Sequence, residues 1–391
     1  MRVLQVHVFY TTSLTSGENS TVETIGGYLT NYATAETLIV SVARKDIGLR
    51  HSFEHYWGTF IKTLKLILNH RAYDVIFFHN QVPFIPAFLL KYFSRHTLVV
   101  KVWHNLRPFC IKGSAFRANQ ICWKCSSSKG RKLNAIRYRC YRNSLWQTLV
   151  AMASQRGLLS ILKSPQVYNV AVSDFIRDKL ITLGFHDSRV FSIQNAVSSL
   201  EVVQSVGSDF LFMGRITEEK GIEKLLSAWE YFRDSNYGDQ KLHIVGDGPL
   251  LFQLREKYQD SRTIFYGHLK FSEISTISSM CKVGIIPNLW EEPFGKVALD
   301  YLSLGLFILA TKTGGLTEIL SNDSGTEFIS SMEPELLAKQ MKGLSLKVDP
   351  IDLSLRNAIF QRFSRDATAH KWFMLLKLLE ESAIIRNLKS P

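Results

Sequence analysis

The sequence predicts an α/β protein built from parallel, doubly wound sheets in two domains. Three observations carry that expectation. The chain has 391 residues, more than one hydrophobic core of ordinary size serves, so two domains of roughly 150–200 residues are expected. Short apolar runs alternate with helical patterns through the second half, as in strands joined by crossover helices. Glycine turns stand at the carboxyl ends of such runs, where doubly wound sheets bind ligands. Composition agrees: 46% hydrophobic and 12% aromatic residues describe a packed globular chain rather than a disordered one.

Taken in order, Met1-Arg2-Val3-Leu4-Gln5-Val6-His7-Val8-Phe9 reads as a first strand. It lacks the long apolar stretch and small-residue cleavage site of a signal peptide. Further strands are expected to end at His79, Trp103 and Val172, the last before Ser173-Asp174, which reads as a helix cap. Residues 1–200 thus form an expected first domain. The polar stretch Ser198 to Ser208 reads as a linker, residues 205–365 as the second domain, and residues 366–391 as a terminal helix with Phe373, Leu376 and Leu379 on one side. No run of about 18 apolar residues occurs, so no transmembrane helix is expected, and the product is expected to form in the cytoplasm.

The informative region lies between Gly214 and Asp300. Asp209-Phe210-Leu211-Phe212-Met213 is a short apolar strand ending at Gly214-Arg215. After Lys220-Gly221, apolar residues recur at Ile222, Leu225, Leu226 and Trp229, the one-face spacing of an amphipathic helix. Arg forks onto phosphate oxygens and Lys acts as a point charge, so this junction reads as a phosphate clamp. A second strand, Val283-Gly284-Ile285-Ile286-Pro287, leads through Asn288-Leu289-Trp290-Glu291-Glu292-Pro293-Phe294 to Gly295 and a helix carrying Asp300. Glu292 in the loop and Asp300 about one and a half turns into the helix reach different parts of one ligand, given a rise of ~1.5 Å per residue. This reads as a sugar-and-ribose clamp. Val245-Gly246-Asp247-Gly248 suggests a dinucleotide fingerprint, but Leu251 stands where that motif needs glycine.

These residues resemble a retaining glycosyltransferase of the GT-B fold, in glycosyltransferase family 4 (group 1), of the bacterial surface-polysaccharide type. The matching pieces are Gly214-Arg215 with Lys220-Gly221, Val245-Gly246-Asp247-Gly248-Pro249, Tyr266-Gly267-His268-Leu269, Glu292-Pro293-Phe294-Gly295 to Asp300, and Gly314-Gly315-Leu316-Thr317-Glu318. In the first half they are Gly17-Glu18-Asn19, Phe78-His79-Asn80 and Trp103-His104-Asn105-Leu106-Arg107. Two departures stand out: the family usually has Glu at Asp300, and Gly-Gly at Ser16-Gly17.

The resemblance implies two Rossmann-like domains facing across a cleft, with a C-terminal helix crossing back to the first. It implies catalytic roles for His104, Arg215, Lys220 and Glu292. The donor is expected to meet Gly17, Gly214, Gly246, Gly248, His268, Leu269, Phe294, Gly295, Asp300 and Glu318. The implied reaction moves a sugar from a nucleoside-diphosphate sugar, with retention, to a lipid-linked saccharide acceptor in cell-surface polysaccharide synthesis, lipopolysaccharide or capsule. A soluble transferase acting on a small-molecule or protein acceptor, and a non-catalytic nucleotide-sugar-binding subunit, are the alternatives. No Asp-x-Asp pair occurs, so no cofactor is expected for catalysis and activity is expected without a divalent metal.

Charge is uneven. The net charge is +13, and between Asp74 and Asp174 no acidic residue occurs while 15 of the 47 basic residues fall there. Phe109, Phe116, Trp123, Tyr138, Tyr141 and Trp146 interleave with these charges. Leu145 to Leu162 reads as a helix suited to an interfacial plane. An anionic membrane surface fits, placing the protein on the inner face of the cytoplasmic membrane. No nucleic-acid-binding signature accompanies the patch, so nucleic acid is not expected as a partner. Oligomeric state leaves no readable trace. Cys110, Cys122, Cys125 and Cys140 share this stretch, within a basic insertion at about 105–163. Cys122-Trp123-Lys124-Cys125 has zinc-knuckle spacing, which suits a structural zinc; the alternative is a set of partly buried thiols. Cys281 reads as core.

Overall fold

The computed structural model describes residues 1–10, 17–42, 73–79, 97–125, 131–141, 143–197, 207–235, 237–322, 325–347 and 353–389. Ser16, Asn80 and the linker residues 198–206 lie outside them. The chain divides into two compact units. One comprises Met1–Gly113, Trp123–Ala196 and Arg365–Pro391, the other Ser114–Cys122 and Val197–Ser364.

The first unit carries β1 (Arg2–Tyr10), α1 (Gly17–Tyr32), β2 (Thr34–Val42), β3 (Val75–Phe78) and β4 (Leu98–Trp103). The short hairpin β5 (Phe116–Arg117) and β6 (Gln120–Ile121) groups with the second unit. Then come α2 (Arg131–Arg137), α3 (Leu145–Leu162), β7 (Val167–Ala171), α4 (Asp174–Thr182) and β8 (Val190–Ser192). The sheet order is β2-β1-β3-β4-β7-β8, every pair parallel. β3, β4 and β7 are buried along their whole length, as strands covered on both faces must be. The Ser173 hydroxyl accepts from the Ile176 N–H at 3.1 Å and caps α4.

The second unit alternates β9 (Asp209–Met213), α5 (Ile222–Asp234), β10 (Leu242–Val245), α6 (Leu251–Tyr258), β11 (Thr263–Gly267), α7 (Phe271–Ser278) and β12 (Cys281–Ile286). It continues with α8 (Lys296–Ser303), β13 (Phe307–Ala310), α9 (Leu316–Ile319), β14 (Thr326–Phe328), α10 (Pro334–Leu346) and α11 (Leu353–Arg362). Its parallel sheet has the order β11-β10-β9-β12-β13-β14. The first strand, β9, lies centrally, and the order reverses between it and β12. Crossover helices therefore leave to opposite faces at that point and open a crevice at the strands' carboxyl ends. The apolar stripe of α5 does what its spacing predicts: Ile222, Leu225, Leu226 and Trp229 are buried with Phe210, Phe212 and Phe232. Cys281 is the first residue of β12 and fully buried.

The last helix, α12 (Arg365–Lys389), belongs to the first unit. Trp372, Leu375, Leu376 and Leu379 share a core with Val3, Leu29, Phe77 and Val100. Trp372 meets Phe77 edge-on at 5.9 Å. Burial of side chains of this size stabilises by about 1.5–3 kcal/mol each. Among the described residues no helix is long and apolar enough to cross a membrane.

Candidate active site

In the second unit the site grows from the switch between β9 and β12. β9 ends at Met213, and Gly214-Arg215 turn away from its carboxyl end. The turn is braced by its neighbour: the Gly214 N–H donates to the Val245 carbonyl at 3.0 Å, and the Ile216 N–H to the Asp247 carbonyl at 2.9 Å. Gly246, with φ +144°, lies so near that a Cβ would stand 1.8 Å from the Gly214 carbonyl oxygen. Only glycine allows that approach. Gly248 follows in the same loop, and Leu250 returns an N–H bond to the Ile216 carbonyl at 3.2 Å. Gly246 and Gly248 thus shape the turn that carries Arg215. Arg215 is exposed, and its guanidinium bonds no described residue.

Lys220 ends a single 3₁₀ turn, Glu218–Lys220, ahead of α5. Gly221 (φ +70°) abuts the chain leaving β12; a Cβ there would meet the Pro287 carbonyl oxygen at 1.9 Å. The Leu289 N–H donates to the Glu219 carbonyl at 3.0 Å. These backbone contacts deliver Lys220 to Glu292: Nζ stands 2.5 Å from Oε2. The same oxygen accepts from Asn288 Nδ2 at 2.9 Å and Trp290 Nε1 at 3.2 Å. The Lys220 ammonium also lies 5.2 Å from the Trp290 ring centroid. The two paired side chains are only 18% and 12% exposed, so solvent screens them weakly. The Glu292 loop is pinned from β13's side. Gly315 donates to the Glu292 carbonyl at 2.8 Å, and the Thr313 hydroxyl to the Trp290 carbonyl at 3.2 Å.

The other expected donor residues spread around this pair. Gly295 (φ +94°) opens α8, whose amino end carries partial positive charge. Asp300 is half-buried in the second turn of α8, and Glu318 is half-buried in the single turn of α9. His268 is exposed and Leu269 half-buried directly after β11, whose Gly267 carbonyl accepts from the Gly246 N–H at 2.8 Å. Phe294 can face a ligand only through its backbone. Its side chain is buried and packs edge-on against Phe363 at 5.8 Å, so it anchors the loop rather than facing a ligand. Tyr301, Asn288 and Trp290 were not singled out from the sequence. The Tyr301 hydroxyl accepts from the Met213 N–H at 2.7 Å and donates to the Leu211 carbonyl at 2.9 Å, tying α8 to the end of β9.

In the first unit, His104 follows β4, His79 follows β3, and Gly17 opens α1. His79 and His104 stand at the carboxyl ends of the neighbouring strands β3 and β4. His79 Nδ1 lies 3.1 Å from His104 Nε2, with the rings stacked at 5.3 Å. Lys101, buried in β4, donates to the carbonyls of His79 at 2.7 Å and Phe78 at 3.3 Å. Burial pushes the Lys101 ammonium down to about 7, opposed by Glu18 and aided by Arg107. Burial raises the Glu18 carboxyl, against the pull of Lys101 and Arg107. The His104 imidazole is held neutral, pushed down to about 3 by burial first and then by Lys101 and His7. Polar residues inside apolar strands, Gln5 and His7 in β1 and Lys101 in β4, were the unread signal for this cluster.

The four cysteines do not make the expected zinc site. Among the described residues no group of three or more His, Cys, Asp or Glu stands where one metal could be held. Cys110 lies in the turn after β4, Cys122 leaves the β5–β6 hairpin with its N–H on the Ala115 carbonyl at 2.6 Å, and Cys140 follows α2. Knuckle spacing brings thiolates together only when one tight turn carries both, and Cys122 is drawn into the hairpin instead. Nearby, α3 has two characters. Leu158, Leu159 and Leu162 are buried, whereas Leu145, Trp146, Leu149 and Val150 at its start are exposed, as is Leu133 on α2.

Comparison with known proteins agrees with this architecture. Residues 205–348 match the model of the glycosyl transferases group 1 family. An uncharacterized glycosyltransferase of Methanocaldococcus jannaschii is 23% identical over 70% of this chain and 66% of its own length. An uncharacterized 42.6 kDa protein in the cps region of Klebsiella pneumoniae is 28% identical over 46% of this chain and 48% of its own. The chain thus spans between about half and two thirds of these two relatives. Among solved structures, Anabaena HepE in complex with UDP superposes with a TM-score of 0.66 at 14% identity, covering 96% of this chain and 100% of HepE. The lipopolysaccharide outer core galactosyltransferase WaaB superposes with a TM-score of 0.60 at 13% identity, covering 96% and 100%. The fold is GT-B, with Rossmann-like sheets.

Proposed function

We propose that this protein transfers a glycosyl group from a nucleoside-diphosphate sugar, with retention and without a divalent metal, to a lipid-linked saccharide acceptor at an anionic membrane surface. The observation that carries the donor half is the meeting of Lys220 and Glu292 at the switch between β9 and β12, with Arg215, bonded to no described residue, on the turn that leaves β9. HepE, which shares the fold, has been solved with UDP and with UDP-glucose. As the bond between the anomeric carbon and the diphosphate oxygen breaks, its electron pair leaves with the diphosphate. Arg215, Lys220 and the amino end of α8 stabilise that growing charge. The acceptor hydroxyl bonds to the same carbon and gives its proton to the departing diphosphate. Glu292 holds Lys220 in place beforehand and meets the donor sugar, while Asp300 and Glu318 meet the nucleotide side.

The acceptor half rests on the run from Asp74 to Asp174 without an acidic residue and on the exposed apolar start of α3. The cps-region relative and WaaB, with its lipopolysaccharide substrate class, support a cell-surface polysaccharide role.

The test is release of nucleoside diphosphate from a panel of UDP-, GDP- and ADP-sugars by the full chain, with and without EDTA. One donor should be consumed at a rate EDTA leaves unchanged. Lys220→Ala should lower that rate about 10²–10³-fold, as loss of a comparable electrostatic group does. A variant turning over normally, with any donor, would sink the proposal.

A further inference from the structure

Gln5 is buried in β1. Its amide nitrogen lies 2.9 Å from the Val22 carbonyl oxygen and 2.8 Å from His79 Nε2. A backbone carbonyl only accepts, so the group facing it is the NH₂, and the second hydrogen of that NH₂ goes to His79 Nε2. His79 Nε2 is therefore an acceptor, and the neutral ring carries its proton on Nδ1. That nitrogen is the one facing His104 Nε2 at 3.1 Å, which must accept in turn. His104 then carries its own proton on Nδ1, because the bond made by one ring nitrogen fixes the state of the other. Burial, with the neighbouring His104, His7 and Lys101, holds His79 neutral as well.

We infer that the Val22 carbonyl, Gln5, His79 and His104 form a tautomer relay that presents the His104 Nδ1–H as a fixed hydrogen-bond donor. His104 Nδ1 bonds no described residue. His104 lines a small pocket with His79, Lys101, Trp103, Asn105 and Arg107. The His104 Nδ1–H is a donor, so the ligand group suited to it is an acceptor oxygen, such as that of a sugar hydroxyl. Gln5 and His79 are positioning residues that act through His104. The tautomer follows from geometry alone; only the identity of the oxygen as the donor sugar's rests on the function proposed above.

The test reads the full chain, labelled with nitrogen isotope in histidine, by long-range proton–nitrogen correlation without ligand. His104, identified by the signal missing in His104→Asn, should show a protonated Nδ1 and an unprotonated Nε2. Gln5→Leu removes the donor at nearly the same size, so His104 should lose this single state and gain Nε2–H. A wild-type His104 protonated on Nε2 overturns the relay, and so does a folded Gln5→Leu with an unchanged tautomer. Donor turnover gives the second reading: kcat/KM should fall about tenfold in Gln5→Leu, the worth of one hydrogen bond. Turnover unchanged beside an altered tautomer removes the ligand-facing role. A wild type inactive on every donor strikes the proposed function instead, and the relay is still decided by its spectrum.

Discussion

Under the proposed function Lys220 has two duties, and its neighbours reconcile them. A cation meant for a diphosphate is useful only if it is already in place, because ordering a long side chain costs up to about 2 kcal/mol. Glu292 supplies that order, and Asn288 and Trp290 hold the same carboxylate oxygen. Tyr301 plays a like role beneath the site: its hydroxyl is the partner of the Met213 N–H, at the last residue of β9. Tyr301→Phe keeps the ring and strands that donor, so it should cost about 1–3 kcal/mol in urea denaturation. Loss of less than a few tenths would mean the hydroxyl is dispensable. Lys220 and Glu292 were singled out because two separate motifs each placed a charge at a strand-to-helix turn, and the structure brings those two charges together; a single such charge is too common on a surface to mark a site. Tyr301 stayed hidden because an aromatic inside an amphipathic helix reads as core, and it is core; only its hydroxyl betrays a second duty.

Elements were more legible than their partners. The stripe of α5, the run of β9 and the cap at Ser173 each follow from local pattern, since period and capping chemistry are properties of adjacent residues. Sheet order and the grouping of the Phe116–Ile121 hairpin with the second unit follow from contacts remote in sequence, which pattern does not encode. The zinc expectation failed at this scale, because spacing says nothing of which element each thiol joins. α12 closes the first unit's core with Trp372. Trp372→Ala should cost about 3–5 kcal/mol. Hydrogen exchange should localise the loss, with amides of β3 and β4 exchanging faster while β9 and β10, in another core, keep their protection. Uniform deprotection of both sheets would contradict that assignment.

Charge is a property of the whole molecule, and here its distribution carries the argument. A protein of +13 attracts anionic surfaces generally, and a stretch of chain with 15 basic residues and no acid concentrates that charge along one part of the sequence. Each Lys or Arg near an anionic bilayer contributes about 1 kcal/mol, and that attraction is screened within ~8 Å at physiological ionic strength. Charge alone therefore gives a salt-labile association. The exposed Leu133, Leu145, Trp146, Leu149 and Val150 add a second component, since Trp favours the interface between headgroup and acyl chain. The two components separate experimentally. The protein should co-sediment with vesicles containing anionic lipid at low salt and release as salt rises. Trp146→Ala with Leu133→Ala should weaken binding at every salt concentration while leaving donor hydrolysis without vesicles unchanged. Binding indifferent to the anionic fraction would dismiss the electrostatic component. Binding indifferent to the double substitution would reduce the surface to charge alone, and the apolar start of α3 would then need a different partner.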